Sequence, residues 1–402
     1  MTLLAERIRS LPESATIAMS MRTRELRQQG LDIVDLTLGE PDFATPEHIG
    51  QAAKDAIDQG YTKYTPVPGY LDVRQAIARK FARENALNFT PEQIVVSTGA
   101  KQSIGNVVFC LCNPGDEVLL PAPFWVSYTA MVTLAQGVPV IVPSGIEQDF
   151  KITPAQLEQA ITPRTRLMIF SSPCNPSGSV YTRDELEALA VVLRAHPQVF
   201  VISDEIYEHI NFSGGHASIG TLPGMEDRVA TVNGMSKAYA MTGWRLGYLG
   251  APLDVAKACT KFQGQYTSAT CSIAQRAIIA ALDSDQATTW AMRDAFLRRR
   301  DLVGGLLSGI AGWKTNTPMG AFYHFPDVSA WFGKCFTGKA GEQTITDADH
   351  LALMLLEEAG VGLVSGTAFG APTCLRISYA TSDDLLVEAV ARIRRFAEQL
   401  NG

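Results

Sequence analysis

A lysine at the carboxyl end of a buried strand stands out, because burial disfavours its charged form and leaves a nucleophilic amine able to condense with a carbonyl. Lys237 is placed this way, closing Asn233-Gly234-Met235-Ser236-Lys237 after the apolar run 228–232. Three further apolar runs end in residues suited to chemistry. The run 198–202 leads into Ser203-Asp204-Glu205-Ile206-Tyr207, where Asp204 needs either a cation or a helix N-terminus to cap. The run 166–170 leads into a turn in which Pro173 and Pro176 bracket Asn175, presenting an amide at the sheet edge or simply forming the turn. The run 93–97 leads into Thr98-Gly99-Ala100-Lys101 ahead of an apolar helix, and small residues there let backbone N–H groups approach an anion. Arg245, eight residues beyond Lys237, can grip a phosphate with two parallel hydrogen bonds.

In an open α/β sheet, ligands bind outside the carboxyl ends of the strands. Four such ends then converge on one crevice carrying an anion cup, an amide, an acid and an amine. That set suits pyridoxal phosphate, in which a lysine condenses with the aldehyde and a carboxylate keeps the ring nitrogen protonated.

The elements that must position these residues are legible in the apolar pattern. Runs at 93–97, 117–120, 138–142, 166–170, 198–202, 228–232 and 245–249 are apolar nearly throughout, as expected of strands buried on both faces. Helical stretches lie between them, such as Thr182–Arg194 with its Thr182/Glu185 start signal. The expectation is an α/β fold: a mostly parallel seven-stranded sheet with helices on both faces. Tyr70–Asn85, 285–307 and the stretch from Ser382 onward read as helices, the last with Leu386, Val390, Ile393 and Leu400 on one face. Residues 47–299 are expected to form the large domain, and 1–46 with 300–402 a smaller α/β domain built from both chain ends. Residues 333–345, rich in Gly and Lys, read as an exposed loop.

Composition removes several classes. The 402 residues are 46% apolar and 19% charged, with 34 basic against 41 acidic side chains and a net charge of −7. No basic block suggests a nucleic-acid surface, and no apolar run approaches the roughly 20 residues that span a bilayer. The opening MTLLAERIRS lacks the apolar core of a secretory signal. The seven cysteines are scattered and odd in number, so no disulfide framework is implied, and Cys110 and Cys112 read as packed thiols. The six histidines show no metal-ligand spacing. A cytoplasmic location without metal is expected. The segment Gly333–Ala340 resembles a Walker A loop but lacks its closing Ser/Thr and a preceding buried strand. No GxGxxG follows a strand.

The segment SKAYAMTGWRLGY (236–248) resembles the lysine signature of class I aminotransferases, fold type I of the pyridoxal phosphate enzymes. LTLGEPDFATP (36–46), YTKYTPVPG (61–69), STGAKQ (97–102), PAPFWVSY (121–128), SPCNPSG (172–178), SDEIYEH (203–209) and LRISYA (375–380) extend the resemblance over nearly the whole chain. Their order is similar to that of the bacterial aspartate aminotransferase branch, subgroup Ib. The resemblance implies that Lys237 binds the cofactor covalently and moves the substrate proton, and that Asp204 pairs with the ring nitrogen. Tyr207 and Asn175 would bond the phenolic oxygen, with Trp125 lying against the ring. Gly99, Ala100, Ser236 and Arg245 would meet the phosphate, together with Tyr64 from a second subunit of a homodimer. Arg376 would clamp the substrate α-carboxylate, Gly39 would supply a backbone contact, and Lys101 would meet a distal carboxylate. Ser14 and Thr16 lie in a segment that folds over the site in this branch. One departure is Gly234, where many relatives carry a hydroxyl.

These roles describe ping-pong transfer of the amino group from L-aspartate to 2-oxoglutarate, giving oxaloacetate and L-glutamate. Aromatic amino acids or prephenate are the alternative substrates. Prephenate ranks lower because Pro12-Glu13 stands where relatives using it carry a basic residue. A β-lyase or decarboxylase would keep the cofactor and change the reaction. Two carboxylate-binding candidates, Arg376 and Lys101, favour amino transfer between dicarboxylic acids.

Overall fold

The computed structural model describes residues 3–9, 11, 13–338 and 341–401. At its centre lie β1 (Ile94–Ser97), β2 (Glu117–Pro121), β3 (Val138–Val142), β4 (Thr165–Ser171), β5 (Phe200–Asp204), β6 (Val229–Gly234) and β7 (Gly247–Gly250). They form one seven-stranded sheet in the order β1-β7-β6-β5-β4-β2-β3. Strand β7 runs antiparallel to both its neighbours, and the other pairings are parallel.

The unbroken apolar runs follow from burial on both faces. In β1, Val95 packs with Ile104 and Val108 of helix Ala100–Leu111, whereas Ile94 and Val96 pack on the other side with Ile77 and Ile278. In β4, Leu167 and Ile169 share the first cluster, while Met168 and Phe170 meet Leu186, Leu189 and Leu193 of helix Arg183–Ala195. That helix opens as its sequence indicates: the Glu185 N–H donates to Thr182 Oγ1, and the Thr182 N–H donates to Glu185 Oε2 at 2.7 Å. The expected helix at 70–85 is Leu71–Lys80 continued by a wider turn, Phe81–Asn85, and the long Arg-rich helix is Ala287–Leu307.

The chain ends meet beside this sheet. Val34–Asp35 pairs in parallel with Val361–Gly362, and Leu375–Ser378 lies between Val364–Ser365 and Tyr323–His324. Val34 and Leu36 share a cluster with Leu307, Leu355, Val390 and Ile393, which reaches Tyr207 and Phe322 at the edge of the large sheet.

Two expectations need correction. The last helix, Asp383–Ala397, carries Leu386, Val390 and Ile393 on its buried face, but Leu400 lies beyond it in a short strand paired with Phe336. Residues 333–345 are an antiparallel hairpin, Cys335–Gly338 with Gly341–Thr344. Phe336 stacks on Phe396 at 4.1 Å, and Ile345 at the end of the stretch is buried in the same cluster; two inward residues nine positions apart among Gly, Lys and Thr leave no alternation to read. Lys339, Ala340 and Pro12 lie outside the described residues. Helix Ala15–Gln28 was not expected, and its buried residues Ser20, Thr23 and Leu26 explain why: two of the three are polar. Among the described residues no helix is long and apolar enough to cross a membrane.

Candidate active site

The carboxyl ends of β4, β5 and β6 open into a cavity of about 170 Å³ whose wall includes Trp125, Tyr128, Asn175, Asp204, Tyr207 and Lys237. Asp204 ends β5 and is 4% exposed. Burial raises its carboxyl to about pKa 6, against the pull of two hydrogen bonds. The Tyr128 hydroxyl donates to Oδ2 at 2.7 Å, and the Ile206 N–H donates to Oδ1 at 3.3 Å. A buried acid held by neutral donors alone is a site prepared for a cation.

Lys237 follows β6. Its Nζ donates to the Gly39 carbonyl at 2.5 Å and lies 5.8 Å from the Tyr207 ring. Burial, then the charges of Arg376 and Arg245, bring the amine down to about pKa 8, with Glu40 and Asp204 opposing. The Tyr207 hydroxyl is 2.9 Å from that of Tyr323.

The anion cup is built by close backbone approach. Gly99 has φ +86°, and a Cβ there would sit 2.4 Å from Arg245 Nη2; a Cβ on Gly247 would sit 2.1 Å from the Ala100 nitrogen. Helix Ala100–Leu111 therefore starts against the guanidinium, with its free N–H groups at the cavity that Ala100, Ser236, Thr242 and Arg245 line. Arg245 Nη1 is held by the Thr242 carbonyl at 2.9 Å.

Arg376 sits just behind Asn175. Its Nη1 donates to Asn175 Oδ1 at 3.0 Å and its Nη2 to the Thr37 carbonyl at 2.6 Å, while Nε has no partner. The guanidinium packs 4.6 Å from the Tyr323 ring and 5.0 Å from that of Phe369. Burial lowers its pKa, and among the described residues it forms no salt bridge, so its charge awaits an anion. Lys101 lines the cavity with Nζ 4.9 Å over the Trp125 ring, and burial lowers its pKa.

The cavity thus gathers Ala100, Lys101, Trp125, Asn175, Asp204, Tyr207, Ser236, Lys237 and Arg245, with Gly39, Gly99 and Arg376 touching this set. It does not gather Tyr64, which is fully exposed on a separate surface depression near Thr270. Ser14 and Thr16 open helix Ala15–Gln28 and are not part of the cavity wall. Tyr128, Thr242 and Tyr323 were missed. Tyr128 lies in the first turn of helix Ser127–Leu134 and meets Asp204 only through tertiary packing, so no local spacing marks it. Tyr323 sits on a two-residue strand and carried no signal.

Comparison with known proteins agrees with this geometry. The model of the family "Aminotransferase class I and II" matches residues 31–393. The aspartate/prephenate aminotransferase of Cereibacter sphaeroides is 49% identical, with 100% of both chains covered. The aspartate aminotransferase of Geobacillus stearothermophilus is 46% identical over 98% of this chain and 99% of its own. A crystal structure of the aspartate aminotransferase from Rhizobium meliloti superposes with a TM-score of 0.96 at 41% identity, covering 100% of each chain. With the family model spanning most of its length and such relatives covered end to end, the chain belongs to the class I and II aminotransferases.

Proposed function

We propose that this enzyme is a pyridoxal-phosphate-dependent aspartate aminotransferase, passing the amino group of L-aspartate to 2-oxoglutarate in a ping-pong cycle. The observation that carries the reading is one cavity holding a depressed-pKa lysine, a buried acid without a cation, and an unpaired arginine close behind. The residues fit the cofactor. Asp204 lacks only a cation, which the ring nitrogen would supply, and the Gly99/Ala100 cup with Arg245 matches a phosphate monoester. Ser171 Oγ is buried without a partner and adds a further donor in the same wall.

When bound, pyridoxal phosphate supplies an electron-withdrawing ring that stabilises charge on the substrate α-carbon. Asp204 would hold the ring nitrogen protonated, and Tyr207 and Asn175 would bond its phenolic oxygen. Trp125 would cover one face. Lys237, with its amine lowered by burial, would move the proton between the substrate α-carbon and the C4′ carbon of the cofactor. Arg376 would hold the α-carboxylate with its free N–H edge, and Lys101 the distal one, which selects dicarboxylic substrates. Gly39 would fix Lys237 through its carbonyl. Tyr64, exposed in a single chain, would complete the phosphate site of a second copy, making the working unit a homodimer. Ser14 and Thr16 would come over the site with their helix. We expect the enzyme to work in the cytoplasm.

Several relatives are named aspartate/prephenate aminotransferases, which favours prephenate as a second keto acid. The test is oxaloacetate formation from L-aspartate and 2-oxoglutarate by the cofactor-loaded enzyme, run beside prephenate as acceptor. Turnover with aspartate supports the reading. Amino transfer only from other donors contradicts it.

A further inference from the structure

The segment 204–209 faces two ways. Asp204 and Tyr207 line the catalytic cavity, whereas Glu208 and His209 line a second cleft on the far side, together with Glu84 and His216. Behind Asp204 lies Glu205, buried, with its carboxylate fully engaged. Ser203 and Ser218 hydroxyls donate to Oε1 at 2.9 and 2.6 Å, His216 Nε2 lies 2.7 Å from Oε2, and Asn85 Nδ2 donates to Oε2 at 3.3 Å. Glu208 is paired with Lys80, a fully buried lysine, and also accepts from Asn85. The Lys80 ammonium stands 3.6 Å from Glu84, which in turn meets His209 at 2.9 Å. Two groupings here, Glu84/Glu208/His209 and Glu205/Glu208/His216, have metal-like spacing. Lys80 and Asn85 already occupy the space between their carboxylates, so the network carries its own cation.

A buried charged network is a poor source of stability compared with apolar packing. This one is anchored on both sides of the residues that would grip the ring of the cofactor. We propose that the Glu205–His216 pair, backed by Glu208 and Lys80, sets the electrostatic field at the cofactor ring from behind Asp204 and Tyr207. The proposal rests on the pyridoxal phosphate reading above. Glu205 contributes to the raised pKa of Asp204, after burial. Although burial opposes it, Glu205 followed by Glu208 raises the His216 pKa, with Lys80 opposing. Arg293, on helix Ala287–Leu307, faces the same cleft.

The experiment is a pH titration of the visible absorbance band of the cofactor-loaded enzyme, which reports protonation of the Lys237 linkage. His216→Gln keeps a donor but removes a positive charge, leaving Glu205 less compensated; a more negative field favours the protonated linkage, so the midpoint rises by about half a pH unit. Glu205→Gln removes the negative charge and the midpoint falls, by a smaller amount because His216 then loses its own charge. Shifts of opposite sign support the proposal, since mere misplacement of Asp204 moves both variants the same way. Equal-signed shifts, or none, overturn it. Should Glu205→Gln not fold, His216→Gln decides alone: a rise supports, and no change or a fall refutes. A wild-type protein with no visible band at any pH would instead sink the cofactor reading itself.

Discussion

Burial works on Asp204 and Lys237 in opposite senses, and each consequence is measurable. The Asp204 carboxyl is raised from its ordinary 3.8 to about 6. A group whose folded pKa lies above its unfolded one contributes stability below the unfolded value and loses it as pH rises through the folded value. The cofactor-free enzyme should therefore weaken between about pH 4 and 6, by roughly 2–3 kcal/mol for a shift of this size. Asp204→Asn can still accept from Tyr128. It should raise the melting temperature of the cofactor-free protein at pH 8, leave it unchanged below pH 4, and weaken cofactor binding. Thermal scans across this range check all three. At Arg376 the geometry matters as much as the charge. A lysine there keeps the charge but loses the two-pronged edge, so Arg376→Lys should lower kcat/KM for L-aspartate by about 10²–10³, mostly through KM. Steady-state kinetics with aspartate and with an uncharged amine control separate the two.

The elements explain how much of the site was legible. Lys237, Asp204, Asn175 and the Gly99 cup were readable because each lies at or within four residues of the end of a strand apolar on both faces, and such strands are unambiguous in sequence. The ends of the chain were harder. Tyr323, Leu400 and Phe336 belong to strands of two to four residues, too short to show a period, and helix Ala15–Gln28 buries polar residues. Tyr128 was passed over because its role comes from meeting Asp204 across 76 positions of chain, a contact made by tertiary packing alone. One close approach offers an element-scale test. A methyl on Gly247 would drive β7 into the start of helix Ala100–Leu111, so Gly247→Ala should cost about 1–3 kcal/mol and loosen phosphate binding. Denaturant unfolding and cofactor titration read the two effects.

At the scale of the molecule, the large sheet and the unit formed by the two chain ends meet along one apolar cluster that includes Tyr207 and Phe322. Tyr64 is fully exposed in the single chain, and if it serves a second copy, mixing two damaged chains should restore function. Tyr64→Phe and Lys237→Ala homodimers would each be impaired, but their hybrid regains one intact site. Activity appearing on mixing supports sharing, and additive low activity refutes it. The central claim is the covalent role of Lys237 opposite Asp204. Its most direct test is to load the protein with pyridoxal phosphate, reduce it with borohydride and map the labelled peptide. The account predicts a single pyridoxyl group on Lys237, absent from Lys237→Ala; label on another lysine, or none, would contradict it.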